Sequence, residues 1–284
     1  MPVIEGTDVR VSYSVHGEGK PVTLLHGFTL SGRSWREVVG KMPPGWMFVM
    51  MDIRGHGETR TAPGAPITME ACACDLQLLW DRLGIERSHL VGYSMGGRLA
   101  LHVAVRLPER VRSLLTIGAH AGLDEDARPG RVEADEVVAV RIERYGIEAF
   151  IDYWGSQPLF AGLKRRGAGF AAQVRAERMR NRPEGLAGSL RGMGAGTMQP
   201  LWSELPSISI PTTLVVGEDD TAFVAHAKRL AASMAGARLE VVARSGHAVH
   251  LQRPTAFSRL LLDHLRWAEA IEGAVSSAAS TTSA

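Results

Sequence analysis

One stretch, Leu90-Val-Gly-Tyr-Ser-Met-Gly-Gly-Arg98, constrains this chain more than any other. It reads as the apolar end of a strand, a tight turn and the first turn of a helix. Within it, Gly92-x-Ser94-x-Gly96 has the pattern of a nucleophile elbow. Such a turn is sharp enough to strain the backbone of its serine, and the residues two before and two after must be small. Both are glycine, which has no Cβ to clash. Gly/Ser turns are common, so the flanks matter. Residues 88–92 are strand-like, residues 98–107 are helix-like, and Pro108 ends the helix. The turn lifts the Ser94 hydroxyl above a sheet edge. It also leaves the Met95 N–H at a helix N-terminus, where it can hold developing negative charge.

The surrounding chain supplies that sheet. Residues 9–15 alternate as a half-buried strand, and residues 21–25, 47–51, 111–118, 212–217 and 238–242 are short apolar runs suited to strands. Helical stretches at 31–41, 68–83 and 255–272 alternate with them. This order predicts an α/β fold, a mostly parallel sheet with helices on both faces. Between residues 123 and 198 the rhythm changes, with helical pieces at 132–145, 147–153, 171–180 and 185–191 and no convincing buried strand. The expected organisation is a core of residues 1–122 and 199–272, a helical lid of residues 123–198, and a disordered tail at 273–284.

The 284 residues suit one large α/β domain or two small ones, and 45% hydrophobic content is enough to bury a full core. A net charge of +2 gives no reason to expect nucleic acid or a membrane surface. Cys72 and Cys74 are two apart on a helical stretch and do not face each other, so neither a disulfide nor a zinc site is expected. The N-terminus lacks the basic and apolar regions of a secretory signal, and no run of 18 apolar residues exists. The cytoplasm is the default compartment. Nothing in the sequence sets the oligomeric state.

A serine hydroxyl is a poor nucleophile and a poor base until another group takes its proton. The partners needed are a histidine and a carboxylate at strand ends on the serine's side of the sheet. Gly217-Glu-Asp-Asp220 follows a buried strand, and Ser245-Gly-His247 follows the last one. The order Ser94, Asp220, His247 is that of a Ser-His-Asp triad on such a sheet. Asp220 is preferred over Asp219 and Glu218. His250, His26 and His56 compete with His247, which alone sits in a Gly-His turn after the final strand. The loop at His26-Gly27 is where a second oxyanion donor belongs, and the Phe28 N–H is the candidate.

Taken together, His26-Gly-Phe, Asp52-x-Arg-Gly-His-Gly57, the elbow and Gly217-Glu-Asp-Asp220 resemble the α/β-hydrolase superfamily. A narrower resemblance rests on Gly92-Tyr-Ser-Met-Gly-Gly-Arg98, Asp152-Tyr-Trp-Gly-Ser-Gln-Pro-Leu-Phe160, Arg178-Met-Arg-Asn-Arg-Pro-Glu-Gly-Leu186 and Gly246-His-Ala-Val-His-Leu-Gln-Arg-Pro254. Those motifs are similar to the 2-succinyl-6-hydroxy-2,4-cyclohexadiene-1-carboxylate synthases of menaquinone biosynthesis. The resemblance implies a lyase that uses its triad serine to remove a proton and expel pyruvate. It implies no metal or organic cofactor, and a small polycarboxylate as substrate. By motif position it makes Arg180 a carboxylate-binding residue. It puts a second at Arg128 or Arg131, Trp154 in the pocket, and Tyr93 beside the nucleophile.

The residues can be weighed against that reading. Arg98 lies one helical turn after Ser94, on the same face. A guanidinium there suits an anionic substrate, and the alternative is a structural ion pair. From Lys164 to Arg191 there are eight basic and two acidic residues. Most belong to a solvated face, and two or three are expected at the substrate. Trp154 and Phe160 serve equally well as lid core. The competing readings are a serine hydrolase for an acidic ester, thioester or C–C bond, and a non-catalytic receptor on the same fold.

Overall fold

A computed structural model gives the structure of the protein. It describes the backbone of residues 1–282 and side chains as far as Ala274. Among these residues nine strands form one sheet: β1 Val3–Glu5, β2 Val9–His16, β3 Gly19–Leu25, β4 Gly45–Met51, β5 Arg60–Thr61, β6 Ser88–Tyr93, β7 Val111–Ile117, β8 Thr212–Gly217 and β9 Arg238–Val242. The order is β1-β2-β4-β3-β6-β7-β8-β9, with β5 paired to β2. β2 is antiparallel to its neighbours, and every pairing from β4 to β9 is parallel. β6 and β8 are buried along their whole length, which is why they read as continuous apolar runs.

The helices are α1 Arg36–Val39, α2 Met69–Arg82, α3 Met95–Arg106, α4 Arg128–Ser156, α5 Ala168–Arg178, α6 Pro183–Met193, α7 Thr221–Ser233, α8 Val249–Gln252 and α9 Pro254–Thr282. On one sheet face Leu76 and Trp80 of α2, Leu99 and Val103 of α3 and Leu230 of α7 share a core. On the other, Val38 of α1 packs with Phe257, Leu261 and Leu265 of α9. Helices α4 to α6 lie between β7 and β8 in sequence, and α4 and α6 share a smaller core of Ile142, Phe150, Ile151, Leu186 and Leu190.

Several elements differ from expectation. β1 and β5 have no sequence signature, because three and two residues are too short to carry a pattern. The helix expected at 31–41 is a 3₁₀ turn, Gly32–Trp35, followed by the short α1. The helical pieces expected on either side of residue 146 are present: α4 is two helical segments that meet at a kink, where Gly146 leaves the helical conformation at φ 78° and ψ 176°. The tail expected to be disordered from residue 273 continues α9 to Thr282. After Gly273 the chain is rich in alanine and has no proline to stop a helix. Residues 283 and 284 lie outside the described residues. No helix among those described is long and apolar enough to cross a membrane.

Candidate active site

β3 and β6 are adjacent at the centre of the sheet, and their C-terminal ends carry the loops that build the site. Ser94 takes φ 53° and ψ −110°, a strained conformation for a residue with a side chain. The glycines make the turn possible. A Cβ on Gly92 would lie 2.2 Å from the Gly96 carbonyl oxygen, and one on Gly96 would lie 2.4 Å from that of Leu25. The Ser94 N–H donates to the Ile117 carbonyl at 2.8 Å, which pins the turn to β7. Met95 is the first residue of α3, so its N–H has no acceptor within the helix.

The Ser94 hydroxyl lies 2.9 Å from Nε2 of His247, whose Nδ1 lies 2.7 Å from Oδ2 of Asp220. With Asp220 accepting at Nδ1–H, Nε2 is free to accept from the serine. The loop geometry explains the choice of acid. The Asp219 N–H donates to the Ser245 carbonyl and the Asp220 N–H to that of Gly217, so successive side chains diverge. Asp219 points outward to Arg165, 2.6 Å away, and Glu218 accepts the Arg244 N–H. The His247 ring is 2% exposed, packed on Phe223 at 4.4 Å and Tyr93 at 5.3 Å between centroids. A side chain at Gly118 would strike that ring.

The competing histidines have other places. His26 donates from Nδ1 to the Gly27 carbonyl and accepts the Ile53 N–H at Nε2, holding the loop that presents Phe28. His56 packs edge-on to His26 and Phe28. His250 is sandwiched between Trp35 and Tyr93, and neither ring nitrogen has a partner among the described residues. Burial pulls all three down, His26 to about 4 and His56 and His250 to about 3, so they are neutral at pH 7.

A cavity of about 240 Å³ lies against Ser94 and His247. Phe28 and Trp154 form one wall, and Leu190 and Met193 of α6 another. Trp154 also packs on Phe28, Phe150 and Phe160, so it belongs both to the core of the α4–α6 insertion and to the cavity wall. Arg98 lines the cavity. Its guanidinium donates to the Met193 carbonyl at 2.8 Å and has no carboxylate partner among the described residues. Burial, then the charge of Arg131, pulls its pKa down to about 10.

Of the other predicted arginines, Arg131 lines the cavity and pairs with Asp135 at 2.8 Å, one turn along α4. Arg128 instead donates to the carbonyls of Gly196 and Thr197, where it caps backbone rather than reaching the cavity. Arg180 is turned away to a surface ion pair with Glu58. Tyr93 lies behind His247, with its ring between His247 and His250.

A candidate that the sequence reading does not single out is Arg178, two before Arg180. It is 4% exposed, with its guanidinium 4.3 Å from the centre of the Phe160 ring. It has no ion pair among the described residues, its Nε is buried without a partner, and burial pulls it down to about 10. Arg178 is the last residue of α5, and Arg180 lies in the turn that follows, where it faces Glu58 at the surface. The signal was present: Phe170, Val174 and Arg178 fall at intervals of four on α5 and its inward face.

The architecture and this geometry agree with comparison to known proteins. The α/β hydrolase fold model matches residues 20–254. A Bacillus subtilis (strain 168) protein, named provisionally as a 2-succinyl-6-hydroxy-2,4-cyclohexadiene-1-carboxylate synthase, is 37% identical over 90% of this chain and 95% of its own. The synthase of that name from Enterobacter sp. (strain 638) is 32% identical over 87% and 94%. The chain belongs to the synthase branch of the α/β-hydrolase fold family. Among solved structures, MenH from S. aureus matches this hydrolase-fold chain with a TM-score of 0.87, 26% identity and coverage of 93% and 100%. The enol-lactonase from Burkholderia xenovorans LB400 matches with a TM-score of 0.82, 25% identity and the same coverage.

Proposed function

We propose that this enzyme is a carbon–oxygen lyase of menaquinone biosynthesis that eliminates pyruvate from 2-succinyl-5-enolpyruvyl-6-hydroxy-3-cyclohexene-1-carboxylate. The names of its relatives support that pathway, and the site supports the chemistry. His247 takes the Ser94 proton, and Asp220 holds the imidazolium that forms. Ser94 Oγ then removes the ring proton alpha to the succinyl carbonyl. The electron pair enters the conjugated system as an enolate, and the Phe28 and Met95 N–H groups stabilise its oxygen. Collapse of the enolate shifts the ring double bond and breaks the ring carbon–oxygen bond. The leaving enolpyruvate takes a proton and becomes pyruvate. Arg98, Arg131 and Arg178 hold carboxylates, and the insertion from α4 to α6 acts as the lid over a small diffusing substrate.

The observation that carries this reading is Arg98. It is a half-buried guanidinium one turn from Ser94, in the cavity wall, with no ion-paired carboxylate among the described residues. Such a group is costly in an empty site and is relieved by an anionic ligand. The test is pyruvate release from the enolpyruvyl substrate, followed through a coupled lactate dehydrogenase assay. Ser94→Ala should abolish it. A wild-type protein that binds the substrate and releases no pyruvate would end the proposal.

A second reading is a hydrolase for an acidic ester or lactone, supported by the same hydrogen-bonded chain and by the likeness to an enol-lactonase. There Ser94 would attack carbon and form an acyl-enzyme. Trapping an acyl group on Ser94 from the natural substrate would favour it.

A further inference from the structure

The cavity wall holds one polar ring that the chemistry above leaves unused. His120 follows β7 in the loop Gly118-Ala-His-Ala-Gly122 and lines the cavity with Ser94, Arg98 and His247. It is 6% exposed. Its Nδ1 accepts the Gly122 N–H at 3.0 Å. A ring nitrogen that accepts a hydrogen bond carries no proton, so the ring is the neutral tautomer with hydrogen on Nε2. Burial, then the charge of the nearby Arg98, pulls His120 down to about 2, which keeps it neutral throughout the working range. The ring packs against His226 and Phe223, and Phe223 packs in turn on His247. These contacts fix its plane. Nε2–H has no acceptor among the described residues and is not sealed from open space.

We propose that His120 is a specificity-determining residue whose Nε2–H donates to the same substrate carboxylate that Arg98 grips. The inference rests on the reading of the substrate as a polycarboxylate. A carboxylate offers about four acceptor positions. Arg98 already spends one N–H on the Met193 carbonyl, so its fork alone leaves oxygen lone pairs unmatched. Arg131 brings a further positive charge to the same wall. Another cation there would be repelled, whereas a neutral N–H satisfies the remaining lone pair without adding charge. Gly122 is what keeps the donor on the cavity side. The pair would select a planar carboxylate over an ester or amide, which lacks one acceptor position or the charge.

The test uses His120→Phe, which keeps a packed ring without the donor, and His120→Gln, which restores a neutral N–H. His120→Phe should raise KM for pyruvate release about tenfold, the loss expected for one hydrogen bond to a charged group, with kcat within about twofold. His120→Gln should recover most of the loss. Since both side chains hold one carboxylate, Arg98→Ala/His120→Phe should be little worse than Arg98→Ala alone. Strict additivity, an unchanged KM, or a fall in kcat at constant KM would overturn the proposal. Calorimetric titration of succinate and of pyruvate into the same variants needs no turnover and separates the two readings. Weaker binding of either acid by His120→Phe, in a protein that releases no pyruvate, would sink the lyase and leave His120 standing. Intact pyruvate release with unaltered KM and unaltered acid binding in His120→Phe would do the reverse. Thermal melts of each variant identify any that fail to fold, in which case His120→Asn carries the comparison.

Discussion

Replacing Arg98 by alanine tests the reading of the cavity most directly. In the free protein Arg98 has one good acceptor, the Met193 carbonyl, and no ion pair among the described residues. Its pKa falls from 12.5 to about 10 because burial, then Arg131, disfavours the charge. The sign follows from linkage: a folded-state value below the unfolded one means that this group's contribution to stability is full only above the unfolded value. It falls as pH drops through about 10, so at pH 7 the charged Arg98 is a liability to the folded state. A substrate carboxylate removes that liability, and losing one partner of such a pair costs about 2–5 kcal/mol. Arg98→Ala should therefore lower kcat/KM for pyruvate release by roughly 30- to 5000-fold. Arg98→Lys should recover part of it, because ammonium lacks the planar fork. The mutant should be no less stable, since the burial cost disappears and only about 1 kcal/mol of hydrogen bonding to Met193 is lost. The assay pairs coupled pyruvate release with hydrolysis of a neutral aryl ester and a thermal melt. If both activities fall in parallel, or the melting temperature collapses, Arg98 is structural and the argument from charge is wrong.

Asp220→Asn should lower turnover on the order of 10⁴-fold with the fold intact, because the imidazolium loses its support. Asp219→Asn should be nearly silent, its partner being the exposed Arg165, and the reverse pattern in steady-state rates would reassign the acid. Arg178→Ala should raise KM at least tenfold, while Arg180→Ala, which removes only a half-exposed pair with Glu58, should change KM less than twofold. Equal effects of the two would contradict the placement of α5. Burial holds His26, His56, His250 and His264 well below 6.5, at about 3 to 4. Each therefore contributes stability that is complete above pH 6.5 and is lost as pH falls toward 4, since the unfolded chain binds those protons first. Melting temperature should drop steadily between pH 6.5 and 4.5, and a flat profile would refute the assignment of neutral buried rings.

The parts of the molecule that were legible in the sequence are those fixed by backbone demands. The elbow needs glycine at 92 and 96 because a Cβ at either would collide with a carbonyl, and that demand is visible as letters. β6 and β8 are buried on both faces, so their apolar runs admit one reading. Ser94, His247 and Asp220 meet because each follows a parallel strand, and strand order alone puts their loops on one edge. The cavity's arginines obey no such constraint. Their positions depend on which face of a helix turns inward and on where the helix ends: α5 stops at Arg178, and Arg180 falls in the turn beyond it. Arg180 was favoured by motif position, whereas the inward stripe of α5 runs through Val174 to Arg178. Arg128 was lost for a related reason: near the start of α4 it finds the free carbonyls of Gly196 and Thr197 within reach. His120 was invisible because its place depends on a single backbone N–H, that of Gly122.

The hydrogen-bonded chain from Ser94 to Asp220 does not by itself decide between taking a proton and attacking carbon. Both begin with the same transfer to His247. The decision belongs to whichever substrate atom is held within reach of Oγ, and that is set by the charges around it. Arg98 from α3 and Arg131 from α4 line the cavity beside Ser94, while Arg178, the last residue of α5, is buried against Phe160 of the same insertion. Among the described residues Asp135 is ion-paired with Arg131 and acts on Arg98 only at longer range, and Arg178 has no ion pair. A neutral ester offers nothing to offset the other two, and a single carboxylate could satisfy only one. A substrate with carboxylates at more than one end can satisfy both, and would be fixed at two points with little freedom to slide. Fixation of that kind favours the removal of one defined proton, since reacting atoms misplaced by an ångström cost about a hundredfold in rate. On the proposed reading the cationic wall and the elbow work as one device, in which the arginines choose the atom and the serine acts on it.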